Sequence, residues 1–67
     1  MLYNLKAEMA RKNIKQEEIS KVLGLSKRAL GNRIQGNVAF KLPEAQLIRD
    51  TFFHDLELEY LFKSDKE

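Results

Sequence analysis

Gln16-Glu-Glu-Ile-Ser-Lys-Val-Leu-Gly24-Leu-Ser26-Lys-Arg-Ala-Leu-Gly-Asn-Arg-Ile34 is the stretch that decides the fold. Two short helical patterns meet in it at Gly24-Leu25-Ser26. In the first, Ile19, Val22 and Leu23 recur at i, i+3 and i+4, one face of a 3.6-residue period. In the second, Ala29, Leu30 and Ile34 do the same. Gly24 can take a left-handed backbone conformation and end the first helix. Ser26 suits the N-cap of the second, because its hydroxyl can accept from a free N–H of the first turn. Leu25 sits between them as an apolar plug. A turn this short forces the two helices to cross steeply.

The outward face of the second pattern carries chemistry. At 100° per residue, Lys27, Arg28, Gly31, Asn32 and Gln35 fall within about 140° of one another, opposite the Leu30–Ile34 stripe. That helix face is cationic and amide-bearing and holds no carboxylate. Lys and Arg donate to guanine edges in the major groove, and Asn and Gln pair bidentately with adenine. For an isolated helix the ordinary alternative is a solvated polar face.

Charge distribution favours the first reading. The net charge is only +2, but it is segregated. Residues 1–41 hold nine Lys/Arg and three Asp/Glu, whereas residues 42–67 hold three and seven. From Ile19 to Lys41 there are five basic residues (Lys21, Lys27, Arg28, Arg33, Lys41) and no acidic one. A positive field at one end and a negative field at the other suit an oriented approach to a polyanion.

Sixty-seven residues make one domain near the lower size limit for folding without staples. Cysteine is absent, so stability has to come from a helical core, helped by dimerisation. No apolar run approaches the roughly 18–20 residues of a membrane span, and the N-terminus lacks the pattern of a signal peptide. A cytoplasmic location is expected.

The rest of the chain extends the helical pattern. Leu2, Leu5 and Met9 mark a first helix over 2–12, with Asn13 as a left-handed stop and Ile14 packing beneath. The second helix runs over about 16–23, with Glu17 and Glu18 where the helix dipole favours anions. Lys15, a poor cap, leaves its start prone to fray. The third helix covers about 27–35 and stops at Gly36. A loop follows, with Phe40 as a core anchor. Pro43 opens a fourth helix, buried through Ala45, Ile48 and Phe52 with Leu47 at its margin. A last short helix over about 57–63 carries Leu58 and Leu61, and residues 63–67 read as a flexible tail. The fold class is all-α.

Gln16-Glu-Glu-Ile, Leu23-Gly-Leu-Ser-Lys-Arg-Ala-Leu, Asn32-Arg-Ile-Gln-Gly and Ile48-Arg-Asp-Thr-Phe-Phe with the later Leu-Glu-Tyr-Leu-Phe62 together give a resemblance. In this order they resemble the Cro/repressor-type helix-turn-helix DNA-binding domain, as in short stand-alone phage-encoded regulators of Gram-positive bacteria. The resemblance covers about residues 2–62. It implies a five-helix lambda-repressor-like domain over 1–62 that regulates transcription from a double-stranded DNA operator. One such helix reads only a few base pairs, which calls for a homodimer, and so small a chain is expected to act by promoter occlusion. Lys27, Arg28 and Asn32 would read bases from the recognition helix, with Ser26 entering the groove beside them. Gln16 would hold a phosphate and brace the start of the third helix, and Asn37 would hold the backbone. Arg33, at the core margin, would reach a phosphate or Glu18. Three positions depart from the family pattern: Lys15 and Glu57 replace the usual caps, and Gly31 leaves one base-reading slot empty.

Other chemistries are poorly supplied. Ser20, Ser26 and Ser64 have only His54 as a base, in a connection with no orienting partner, so no enzyme is expected. A lone His without Cys makes no ordinary zinc site, and neither metal, cofactor nor small-molecule ligand is expected. Gly31-Asn-Arg-Ile-Gln-Gly36 imitates the outer glycines of a phosphate loop, but Asn37-Val38 follows instead of Lys-Ser/Thr. Asp55, Glu57 and Glu59 read as a solvated face. Phe53, Leu56, Tyr60 and Phe62 are candidates for a subunit contact. The alternative function is a protein–protein interaction module of the same fold, antitoxin-like or anti-repressor-like, working through the apolar C-terminal part.

Overall fold

The computed structural model describes residues 1–63, so the expected tail lies almost wholly outside the described residues. Five helices follow in order: α1 (Tyr3–Arg11), α2 (Gln16–Leu23), α3 (Lys27–Gln35), α4 (Leu42–Phe52) and α5 (Leu58–Leu61). Among the described residues there is no strand. The fold is all-α.

Each boundary has a local cause. Asn13 ends the turn after α1 with φ 56°, and Gly24 and Gly36 stop α2 and α3 with φ 71° and 92°. Glycine enters that region without a steric penalty from Cβ, and Asn tolerates it because its short amide can hydrogen-bond locally. Ser26 Oγ accepts from the Ala29 N–H at 3.1 Å and caps α3. Lys15 has no side-chain acceptor, yet the start of α2 is held from the other side. Its backbone N–H donates to Glu18 Oε2 at 2.9 Å, the reciprocal half of a capping box. Glu44 does the same for Lys41 at the start of α4. The fraying expected at Lys15 is therefore offset.

One core joins all five helices. Leu2, Leu5, Met9, Ile19, Leu30, Ile34, Ile48, Phe53 and Leu61 are buried together, with Ile14, Leu23, Phe40, Phe52, Leu56 and Phe62 packed partly buried against them. Helix α2 packs on α3 and α4, and α5 closes against α1 and α4. The Leu2 N–H donates to the Ile34 carbonyl at 2.8 Å, tying the segment before α1 to the last turn of α3.

Three expectations are corrected. Val22, assigned to the inner stripe of α2, is exposed, and Leu23 is only half-buried. Phe53, not Phe52, is the fully buried ring at the end of α4. The chain leaves helical geometry at Phe53, φ −134°, and this turns its ring inward. Phe53 is thus a core residue and no subunit contact, and Phe62 is packed edge-to-face on Phe40 with ring centroids 5.1 Å apart.

Candidate functional site

The candidate surface is built on α2, Gly24 and α3. Leu30 and Ile34 bury one side of α3 in the core, and that burial fixes which side faces out. Lys27, Arg28 and Gln35 are exposed, and Gly31 and Asn32 are half-exposed. At the flanks Gln16, Ser26 and Asn37 are exposed too. The structure thus brings all but one of the expected site residues to accessible positions on or beside the two helices.

Arg33 is the exception. Its side chain is only 14% exposed, and its Nε donates to Glu44 Oε1 at 3.1 Å. The partner expected from the second helix was Glu18, whose carboxylate is taken up by the Lys15 N–H. Arg33 sits on the wheel between the core stripe and the outer face, so α4 supplies its counter-charge from the inside. Its guanidinium joins α3 to α4 and is withdrawn from the outer face.

The remaining cations are unequally free. Lys27 Nζ lies 4.0 Å from Glu17 Oε2, so a carboxylate from α2 borders a helix face that itself carries none. Arg28 and Lys21 have no ion-pair partner among the described residues, whereas Lys41 is attracted to the Glu44 carboxylate. Away from this surface, Lys12 Nζ donates to Asp55 Oδ1 at 2.8 Å and lies over the Phe53 ring. The Lys12 hydrogen bond holds the Asp55 carboxyl below its usual range. Asp55 is therefore paired, yet it remains exposed together with Glu57 and Glu59, in keeping with the solvated acidic face expected.

Two polar groups escaped sequence reasoning. Glu8 is buried, and Tyr60 Oη donates to its Oε2 at 2.8 Å, with Arg11 at 3.5 Å. The carboxylate in turn pushes the Tyr60 hydroxyl up from its ordinary value. Asn4 Nδ2 donates to the Tyr60 carbonyl at 2.8 Å, so Tyr60 ties α5 to α1 at both ends. An i, i+4 pattern cannot reveal a partner 52 residues away, and no local signal marks it.

Among the described residues no group of three or more His, Cys, Asp and Glu is placed to hold a metal ion. His54 is exposed in the connection after α4. Among the described residues no helix is long and apolar enough to cross a membrane. An open groove of about 740 Å³ runs beside the C-terminal end of α3, lined by Leu2, Val38, Phe40, Leu42, Leu58 and Phe62 among others. Glu59 and Lys63 stand on its wall.

Comparison of the chain with protein-family models, with curated proteins and with solved structures finds no match.

Proposed function

We propose that the chain is a sequence-specific double-stranded DNA-binding transcriptional regulator with a lambda-repressor-like helix-turn-helix fold. One observation carries the reading. Leu30 and Ile34 pin α3 to the core while Arg28 and Asn32 stand accessible on its far side, with Gln16 and Ser26 at the adjoining helix starts. Arg28 donates to guanine and Asn32 to adenine edges, while Gln16 and Asn37 hold phosphates on either side. Helix α3 is nine residues long and can span only a few base pairs. A homodimer on a two-fold operator, its recognition helices about 34 Å apart, supplies the missing specificity. Bound at a promoter, it acts by excluding polymerase.

The subunit contact in this reading is the apolar groove beside α4. Phe53 is used within the monomer, whereas Leu42 and Val38 are exposed on the groove and half-buried Phe62 lines it. Glu59 and Lys63 on the same wall can pair reciprocally across a two-fold axis. The second reading gives that groove to a foreign protein and leaves DNA out.

Retention of duplex DNA on filters across a salt series tests the proposal. With roughly four phosphates neutralised per subunit, log K should fall against log salt with a slope near −7 for the dimer. No retention at low salt, or affinity that ignores salt, would reject the regulator and favour the interaction module.

A further inference from the structure

Glu17 and Glu18 are neighbours with different employment. Glu18 Oε2 accepts from the Lys15 backbone N–H and belongs to the start of α2. The Glu17 carboxylate has no part in that cap. It reaches across the turn to α3, where its Oε2 lies 4.0 Å from Lys27 Nζ, the two side chains 55% and 71% exposed. The first turns of α2 and α3 thus set one anion and one cation side by side on the surface assigned above to DNA.

A carboxylate there is a handicap for a surface that only holds phosphates, because it repels them and competes for the lysine. It is useful for accepting from a base amino group. In the major groove a G·C pair presents the guanine N7 and O6 acceptors in a row, then the cytosine amino donor at the far end. O6 and that amino nitrogen are Watson–Crick partners, about 2.9 Å apart, so a cation and an anion in near contact can address both. In an A·T pair the amino donor lies between two acceptors, N7 and O4, and both repel a carboxylate.

We infer that Lys27 and Glu17 form a composite reader of one G·C pair in each half-site. Lys27 donates to guanine O6 and N7, and Glu17 accepts from the amino group of the paired cytosine. The inference rests on the DNA-binding reading and adds to it a base identity and a residue outside the recognition helix.

The test is selection of duplexes from a randomised pool by the full chain, alongside Glu17→Ala and Lys27→Ala. The expected result is a G·C pair at one position per half-site for the wild type. Glu17→Ala should lower discrimination there about tenfold, the usual worth of a base contact, with the other positions unchanged. Lys27→Ala should weaken the same position. If Glu17→Ala changes affinity for all sequences alike, Glu17 merely tunes charge and the composite reader is rejected. Loss at two different positions rejects it as well. Both results leave the regulator standing, whereas a wild type that enriches no sequence removes the regulator and the reader together. Matching thermal midpoints for the three proteins exclude misfolding as the cause.

Discussion

Glu44 Oε1 accepts two hydrogen bonds, one at 3.1 Å from Arg33 Nε and one at 3.0 Å from the Lys41 backbone N–H. A single carboxylate oxygen therefore starts α4 and binds it to α3. The Lys41 N–H, helped by the Arg33 guanidinium, holds the Glu44 carboxyl below its usual range against the opposing effect of burial. A carboxyl depressed on folding stabilises the native state above its unfolded value, and that contribution disappears as pH falls through the folded value. Glu44→Gln should cost on the order of 1–2 kcal/mol at pH 7 and much less at pH 3, below the ordinary carboxylate range. Urea midpoints at the two pH values check this. An equal deficit at both would mean that the charge of Glu44 contributes nothing.

Tyr60→Phe removes the hydroxyl that donates to Glu8 across the α1–α5 contact. Glu8 is 3% exposed and, among the described residues, keeps Arg11 at 3.5 Å, so the loss leaves a buried carboxylate under-satisfied. A lower denaturation midpoint is expected in chemical denaturation. An unchanged midpoint would show that water replaces the phenol.

Arg28→Ala and Gln16→Ala should separate base reading from phosphate holding. Loss of Arg28, exposed in the first turn of α3, is expected to relax preference at one operator position by about 1–3 kcal/mol. Loss of Gln16 should weaken all sequences alike. Footprints and competition with single-base operator variants distinguish them, and an unchanged preference profile for Arg28→Ala would strike it from the reading set.

Gly31→Ala should raise stability. An added Cβ meets no atom within 4 Å, and the residue is helical, so nothing in the fold requires glycine there. A gain of about 1 kcal/mol follows from helix propensity. If the bare backbone at Gly31 lets DNA approach closely, operator affinity should fall while the thermal midpoint rises. A parallel rise of both would show that the missing side chain serves no contact.

Leu42→Glu tests the subunit contact. Leu42 is 61% exposed on the groove, so the change should leave the monomer folded. Sedimentation equilibrium should then report a weaker dimer, and operator binding should approach that of a single half-site. Unaltered association would move the interface elsewhere.

The bounds of α2 and α3 were legible because their stop and cap residues are local: Gly24, Ser26 and Gly36 act within one turn of where they stand. The exposure of Lys27, Arg28 and Asn32 followed from the same periodicity, since burial of Leu30 and Ile34 fixes the opposite face. What escaped depends on the packing of distant segments. The exchange of Phe52 for Phe53 comes from the chain leaving the helix, where a helical wheel no longer applies. Arg33 was placed on the core margin, but its partner came from α4, 11 residues on, and could not be read from α3 itself. Glu17 carries no mark in sequence that separates it from Glu18. Only the turn at Gly24 brings it to Lys27.

The open space around Gly31 has a further consequence for how such a protein diversifies. Leu30 and Ile34 anchor the helix from within, and neither depends on what stands at residue 31. A Cβ added at residue 31 meets nothing within 4 Å, so a small side chain can be installed there without crowding the fold. Under the proposed DNA-binding function, a lineage could drift to new target sites through this one position while its scaffold stays constant, and a library of helix-compatible residues at position 31 would map the accessible repertoire.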